Sequence, residues 1–154
     1  MIQETYPMMV GDMEVLNERI LLTQVENGLL MNGADSVRFI VIHCSATRCD
    51  RDYTVEQLLR DHKARGFRTI GYHFYIRKNG DIKTTRPIER IGAHAKGFNQ
   101  TSIGICYEGG LDCHGRPADT RTEWQIHSMH VLVLTLLRDY PGCRVCGNRD
   151  LSPD

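Results

Sequence analysis

The apolar residues change period several times after residue 37, and each change marks an element. The run RFIVIH, residues 38–43, is short, apolar and β-branched, and reads as a buried strand that ends at His43. In TVEQLLRDHKARG, residues 54–66, apolar Val55, Leu58 and Leu59 share one helical face. Thr54 and Gln57 have the spacing of a capping box and Gly66 supplies a stop, so the segment predicts a helix. GYHFYIRKNGDIKTT, residues 71–85, reads as two strands around Asn79-Gly80, a strong short hairpin signal. SIGICYE, residues 102–108, predicts another strand ahead of Gly109 and Gly110. TEWQIHSMHVLVLTLLRDY opens on a second capping-box pair, Thr122 and Gln125, and predicts a long, largely buried helix up to Pro141. CRVCG, residues 143–147, is the next strand.

Strand, helix, hairpin, strand, helix, strand is an α/β order. It predicts a mixed central β-sheet flanked by helices, mixed because a hairpin is antiparallel. With 154 residues, 41% of them hydrophobic, the chain suffices for one domain with a real core. Residues 1–36 lack a clear period. They include DMEVLNERILLTQV, with a helical reading, and ENGLLMNGADS, a turn or linker, and are expected to form an appendage to a domain at 37–154. No basic n-region with an apolar h-region opens the chain, and no apolar run reaches membrane-spanning length, so the expectation is cytoplasmic synthesis without a signal peptide. Under that expectation Cys44, Cys49, Cys106, Cys113, Cys143 and Cys146 are reduced thiols.

Lys and Arg balance Asp and Glu at 19 each, which argues against a dedicated nucleic-acid binder. The balance is uneven along the chain: 1 basic against 6 acidic residues in 1–36, 13 against 6 in 37–104, and 5 against 7 in 105–154. Solvated basic surface accounts for most of the middle excess; attraction of an anionic polymer is the sharper alternative.

His43 closes a buried strand, where open α/β sheets place ligand-binding groups. Tyr72 and His73 open a second strand, and His94 lies in GAHAKGFN, a polar, Gly-flanked loop with no packing rationale. Three histidines and a tyrosine near strand ends predict one site. The Cys143–Cys146 spacing lacks the second pair of a zinc ribbon, and His127 with His130 lacks the spacing and glutamate of a zinc-protease helix. No P-loop, dinucleotide fingerprint or nucleophile elbow is present.

Taken together, FIVIHCSAT, GYHFYIRKNG, IGAHAKGFN, SIGICYEGG and NRDLSPD resemble the zinc-dependent N-acetylmuramoyl-L-alanine amidases of phages and bacteria, which share the fold of peptidoglycan recognition proteins. The resemblance spans residues 38–154. It implies a peptidoglycan or muropeptide substrate, cut at the amide joining the lactyl group of muramic acid to L-alanine, and action on the cell wall after release or lysis. It also implies one zinc held by two histidines and a downstream cysteine. By position His43 matches the first ligand and Tyr72 the tyrosine beside the zinc-bound water, whose pKa falls to about 7 on the metal. His73, His94, Lys96 and Asn99 would line the substrate groove. Asn148 occupies the second ligand position, where an amide offers zinc only a weak neutral oxygen, and the third-ligand segment follows Asp154 in the family. Weak or lost zinc binding is the resulting expectation, with Cys146 as the one candidate substitute. A peptidoglycan-binding module without hydrolysis is the competing reading.

Overall fold

The computed structural model describes Met31 and residues 33–151. The helical reading of DMEVLNERILLTQV therefore lies outside the described residues.

Four parallel strands and one antiparallel edge strand form the main sheet. In chain order they are β1 (Phe39–Cys44), β3 (Phe74–Ile76), β4 (Ile82–Thr84), β5 (Ser102–Tyr107) and β7 (Arg144–Gly147), arranged β4-β3-β5-β1-β7. A parallel pair of two-residue strands, β2 (Thr47–Arg48) and β6 (Gly110–Leu111), extends beyond it. These short strands escape sequence reading because two residues carry no period. The helices are α1 (Val55–Ala64), α2 (Glu123–Asp139) and the single turn α3 (Asn148–Leu151).

Both capping boxes form. Thr54 accepts from the Gln57 backbone N–H at 3.2 Å while the Gln57 side chain accepts from the Thr54 N–H at 2.7 Å. Thr122 and Gln125 repeat the exchange at 3.1 and 3.0 Å. Each satisfies amide groups that a helix start otherwise leaves unpaired. The long helix differs from its reading as largely buried. Only Gln125, Met129, Leu132 and Leu136 are buried, while Trp124, Ile126 and Leu134 are exposed. One face of α2 meets the sheet, so the apolar run reports composition more than burial.

The hairpin forms with a longer loop than Asn79-Gly80 alone would make. Ile76 pairs with Ile82, leaving residues 77–81 in the turn, where Asn79 Oδ1 accepts from the Asp81 N–H at 2.9 Å. The preceding strand starts at Phe74 and not at Tyr72, because the His73 N–H reaches the Gly104 carbonyl while its own carbonyl accepts from Thr85 and Arg86.

Strand alternation divides the sheet into two faces. Ile40, Ile103, Ile105, Phe74, Ile76 and Ile82 pack with Met129, Leu132 and Leu136 of α2. Tyr75 and Cys106 face the other way, against Val55 and Leu58 of α1. At the carboxyl end of β5 the buried Glu108 carboxylate accepts from the Tyr53 N–H, the Lys78 N–H and Arg77 Nε at 2.6, 3.0 and 2.7 Å. That one acid ties the α1 entry and the hairpin to the central sheet beside the site.

Candidate functional site

His43 ends the inward-facing series Phe39, Val41, His43 on the α1 face of β1, and in register it lies opposite Cys106 of β5. On its other side β7 pairs Gly147 with Ile42, so Asn148 follows one step on. The position expected for a second ligand is thus the first residue after the last β1–β7 pair. Asn148 is exposed and opens α3.

His94 comes from the loop between β4 and β5 and lays its ring across the sheet. His43 Nε2 and His94 Nδ1 are 2.9 Å apart, with the rings nearly perpendicular and their centroids 5.0 Å apart. The Tyr72 ring lies 5.1 Å from His43 and 6.4 Å from His94. Three of the four expected residues therefore form one cluster.

Room for His94 is made by glycine. A Cβ on Gly104 would come within 2.7 Å of the His94 ring, and one on Gly92 equally close. The loop backbone is pinned by Asn99, whose Oδ1 accepts from the His94 and Ala95 N–H groups at 2.9 and 2.8 Å. Asn99 was expected to line the groove; its oxygen instead builds the loop, leaving the side-chain NH2 for any ligand. Lys96 is exposed on the same loop.

His73 corrects an expectation. It is fully buried, its Nδ1 accepts from the Gly104 N–H at 3.0 Å and its Nε2 donates to the Arg90 carbonyl at 2.7 Å. Both ring nitrogens are spent on backbone, so His73 is scaffold and offers nothing to a substrate.

Two residues of the site escaped the sequence reading. His62 of α1 is buried, accepts at Nδ1 from the Gly71 N–H at 2.9 Å, and stacks its ring 5.4 Å from Tyr72. Its signal was available: four residues after Leu58, it occupies the apolar face of the helix. Ser102 lies fully buried under His94, 3.2 Å from Nε2 and 2.7 Å from the Phe98 carbonyl oxygen. Here the signal was the alternation Ser102, Gly104, Cys106, three small side chains on one strand face, which reserves space for something large.

Burial sets the protonation states. It lowers His43 to about 4, and it lowers His94 further still with help from neighbouring His73 and His43. It pushes the Tyr72 phenol far up, reinforced by the neighbouring Cys106 and Cys44 thiols. At neutral pH the cluster holds two neutral imidazoles and a protonated phenol.

Among the described residues no three His, Cys, Asp or Glu side chains gather as a metal ion would require. Cys146 pairs with Val41, one side-chain repeat back from His43, and its thiol pKa is raised by burial and by Asp150. No disulfide forms: all six cysteines are free.

An open α/β sheet with polar groups converging at the carboxyl edge of its central parallel strands has them where folds of the doubly wound class bind ligands. The comparisons narrow it. A family model described as N-acetylmuramoyl-L-alanine amidase matches residues 33–151, and the chain belongs to that family. It is similar to the endolysin of Klebsiella phage KP32, with 36% identity over 74% of this chain and 76% of the relative. The endolysin of Escherichia phage T7 is 35% identical over 77% and 79%. Among solved structures, the N-acetylmuramoyl-L-alanine amidase LysC from Clostridium intestinale URNW superposes with a TM-score of 0.68 at 28% identity, covering 83% of each chain. Drosophila PGRP-LB shares the fold, with a TM-score of 0.70 at 23% identity over 84% of this chain and 78% of that one.

Proposed function

We propose that the chain is a peptidoglycan hydrolase that cuts the amide between the lactyl group of muramic acid and L-alanine. The observation that carries this reading is the packing of a neutral His43 against a protonated Tyr72 at the carboxyl edge of β1, within a domain of the amidase family. A phenol that keeps its proton donates a hydrogen bond to a carbonyl oxygen as negative charge develops there, and one such donor accounts for about 10²–10³ in rate. The neutral imidazole supplies a lone pair, and its low pKa makes it a poor proton acceptor at neutral pH. His94 and the exposed Lys96 would bound the groove, with the lysine drawing anionic stem peptides. The site of action in this reading is the cell wall, which the similarity to phage endolysins supports. None of the described helices is long and apolar enough to cross a membrane.

Zinc is the cofactor that the resemblance implies, and the described residues do not fit it. They offer the His43 imidazole, a second imidazole at His94 whose ring nitrogens already face His43 and Ser102, a neutral amide at Asn148 and, one strand repeat away, the Cys146 thiol. Weak zinc binding follows, and no step is assigned to the metal.

Digestion of purified peptidoglycan by the full chain tests the proposal. New L-alanine amino termini are the expected product; a folded chain that releases none, with or without added zinc, overturns it. Asn148 favours a second reading, a muropeptide-binding module without hydrolysis, for which co-sedimentation with insoluble peptidoglycan in the absence of cleavage is the expected outcome. Asn148→His bears on both readings. Because losing an outer-shell partner alone costs zinc sites about 10–100-fold, a gained imidazole beside His43 is expected to tighten zinc by about 100-fold or more. An unchanged affinity, read by competition with a chelator, would remove position 148 from the ligand set.

A further inference from the structure

The hydrogen bonds around His94 admit one consistent set of proton positions. Ser102 Oγ lies 2.7 Å from the Phe98 carbonyl oxygen. A carbonyl only accepts, so the single hydroxyl proton is committed there. His94 Nε2, 3.2 Å from the same Oγ, must then donate to it. A neutral imidazole carries one ring proton, and with that proton on Nε2 the His94 Nδ1 is an acceptor. The proton in its 2.9 Å contact with His43 Nε2 therefore belongs to His43. The remaining nitrogen, His43 Nδ1, keeps its lone pair and has no hydrogen-bond partner among the described residues.

We propose that Ser102 is a positioning residue: through His94 it fixes His43 as the Nε2–H tautomer and leaves His43 Nδ1 as the electron-pair donor of the site. The proposal deepens the amidase reading and rests on it for the use made of His43. An imidazole gives a lone pair to a proton or a metal ion only from its unprotonated nitrogen, so the wrong tautomer silences it. The chain of bonds ends on a backbone carbonyl and has no slack. Phe98 sits in the loop that Asn99 pins. Reversing the polarity would require breaking the 2.7 Å bond from Ser102 to Phe98.

The test is long-range proton–nitrogen correlation NMR of the ¹⁵N-labelled full chain at neutral pH with chelator present. Such spectra distinguish the two tautomers of each histidine directly. His43 and His94 are both expected as single Nε2–H tautomers. Ser102→Ala should lose the single-tautomer pattern of both rings, and Ser102→Thr, which keeps the hydroxyl, should restore it. His94→Phe should release His43 alone. A wild-type His43 protonated on Nδ1 overturns the proposal without any variant, as does a folded Ser102→Ala chain in which both rings are unchanged. The readout is independent of hydrolysis. A chain that shows the expected tautomers but never cuts peptidoglycan upholds the proton arrangement and refutes the amidase reading, whereas a cutting chain with the opposite His43 tautomer does the reverse.

Discussion

The two faces of the central sheet are built from the same strands and follow opposite rules. Toward α2, Ile40 of β1 and Ile103 and Ile105 of β5 are fully buried and pack on Leu132 and Leu136. Toward α1, the alternate residues of β5 are Ser102, Gly104 and Cys106, small enough to admit a histidine from a distant loop. One face spends its residues on apolar burial, worth about 1.5–3 kcal/mol for each large side chain. The other gives up that burial to hold buried imidazoles in one geometry. The site is therefore the part of the molecule in which stability is exchanged for chemistry.

Acid separates the faces most strongly. His43 and His73 have folded pKa values of about 4, lowered from 6.5 by burial. Folding therefore excludes their protons, and the unfolded chain binds more of them. Stability is complete above pH 6.5 and is lost as pH falls from 6.5 toward 4, by about 3 kcal/mol for each ring. Urea midpoints measured across this window should fall steeply, and replacing His73 by a residue that does not titrate should flatten the slope. A flat profile in the native chain would break the contrast.

On the apolar face, Ile105→Ala should cost about 2–5 kcal/mol through lost contacts and a cavity. Equilibrium denaturation reads the loss, while the ring contacts of His43 persist. The converse is expected of Tyr72→Phe, which should lower kcat about 10²–10³-fold and leave the denaturation midpoint nearly unmoved. An equal loss of stability would make Tyr72 a packing residue. Gly104→Ala should cost about 1–3 kcal/mol, because the added methyl meets the His94 ring at 2.7 Å. It should also disturb the His43 tautomer, a joint effect that no substitution on the α2 face should show.

What could be read from the sequence follows the same division. Local signals reported themselves: two capping boxes and the apolar runs of β1 and β5 formed where they were expected, and the hairpin formed around Asn79-Gly80 with a longer loop. His43, Tyr72 and His94 could be grouped because each stood at a strand end or in a glycine-flanked loop. His73 was misread because it shares that setting, and only the tertiary hydrogen bonds to Gly104 and Arg90 show that its ring is used up. Ser102 was missed because a small strand residue acquires its meaning from what is laid over it, here a ring delivered from eight residues upstream. The pairing of β7 with β1 up to Gly147, just ahead of Asn148, likewise depends on parallel register, which no local pattern encodes.

That register also bears on how the protein is made. β1 pairs with β5 and with β7, so its two neighbours are synthesised about 60 and 100 residues after it. At ribosomal rates of about 5–20 residues per second, β1 waits several seconds for each partner, with both edges unpaired at first and the β7-facing edge unpaired last. The nascent chain thus carries β1 with its β7-facing edge unpaired until residue 147 has left the ribosome. His43 acquires its last flanking strand only then, which makes the cleft one of the final regions to form.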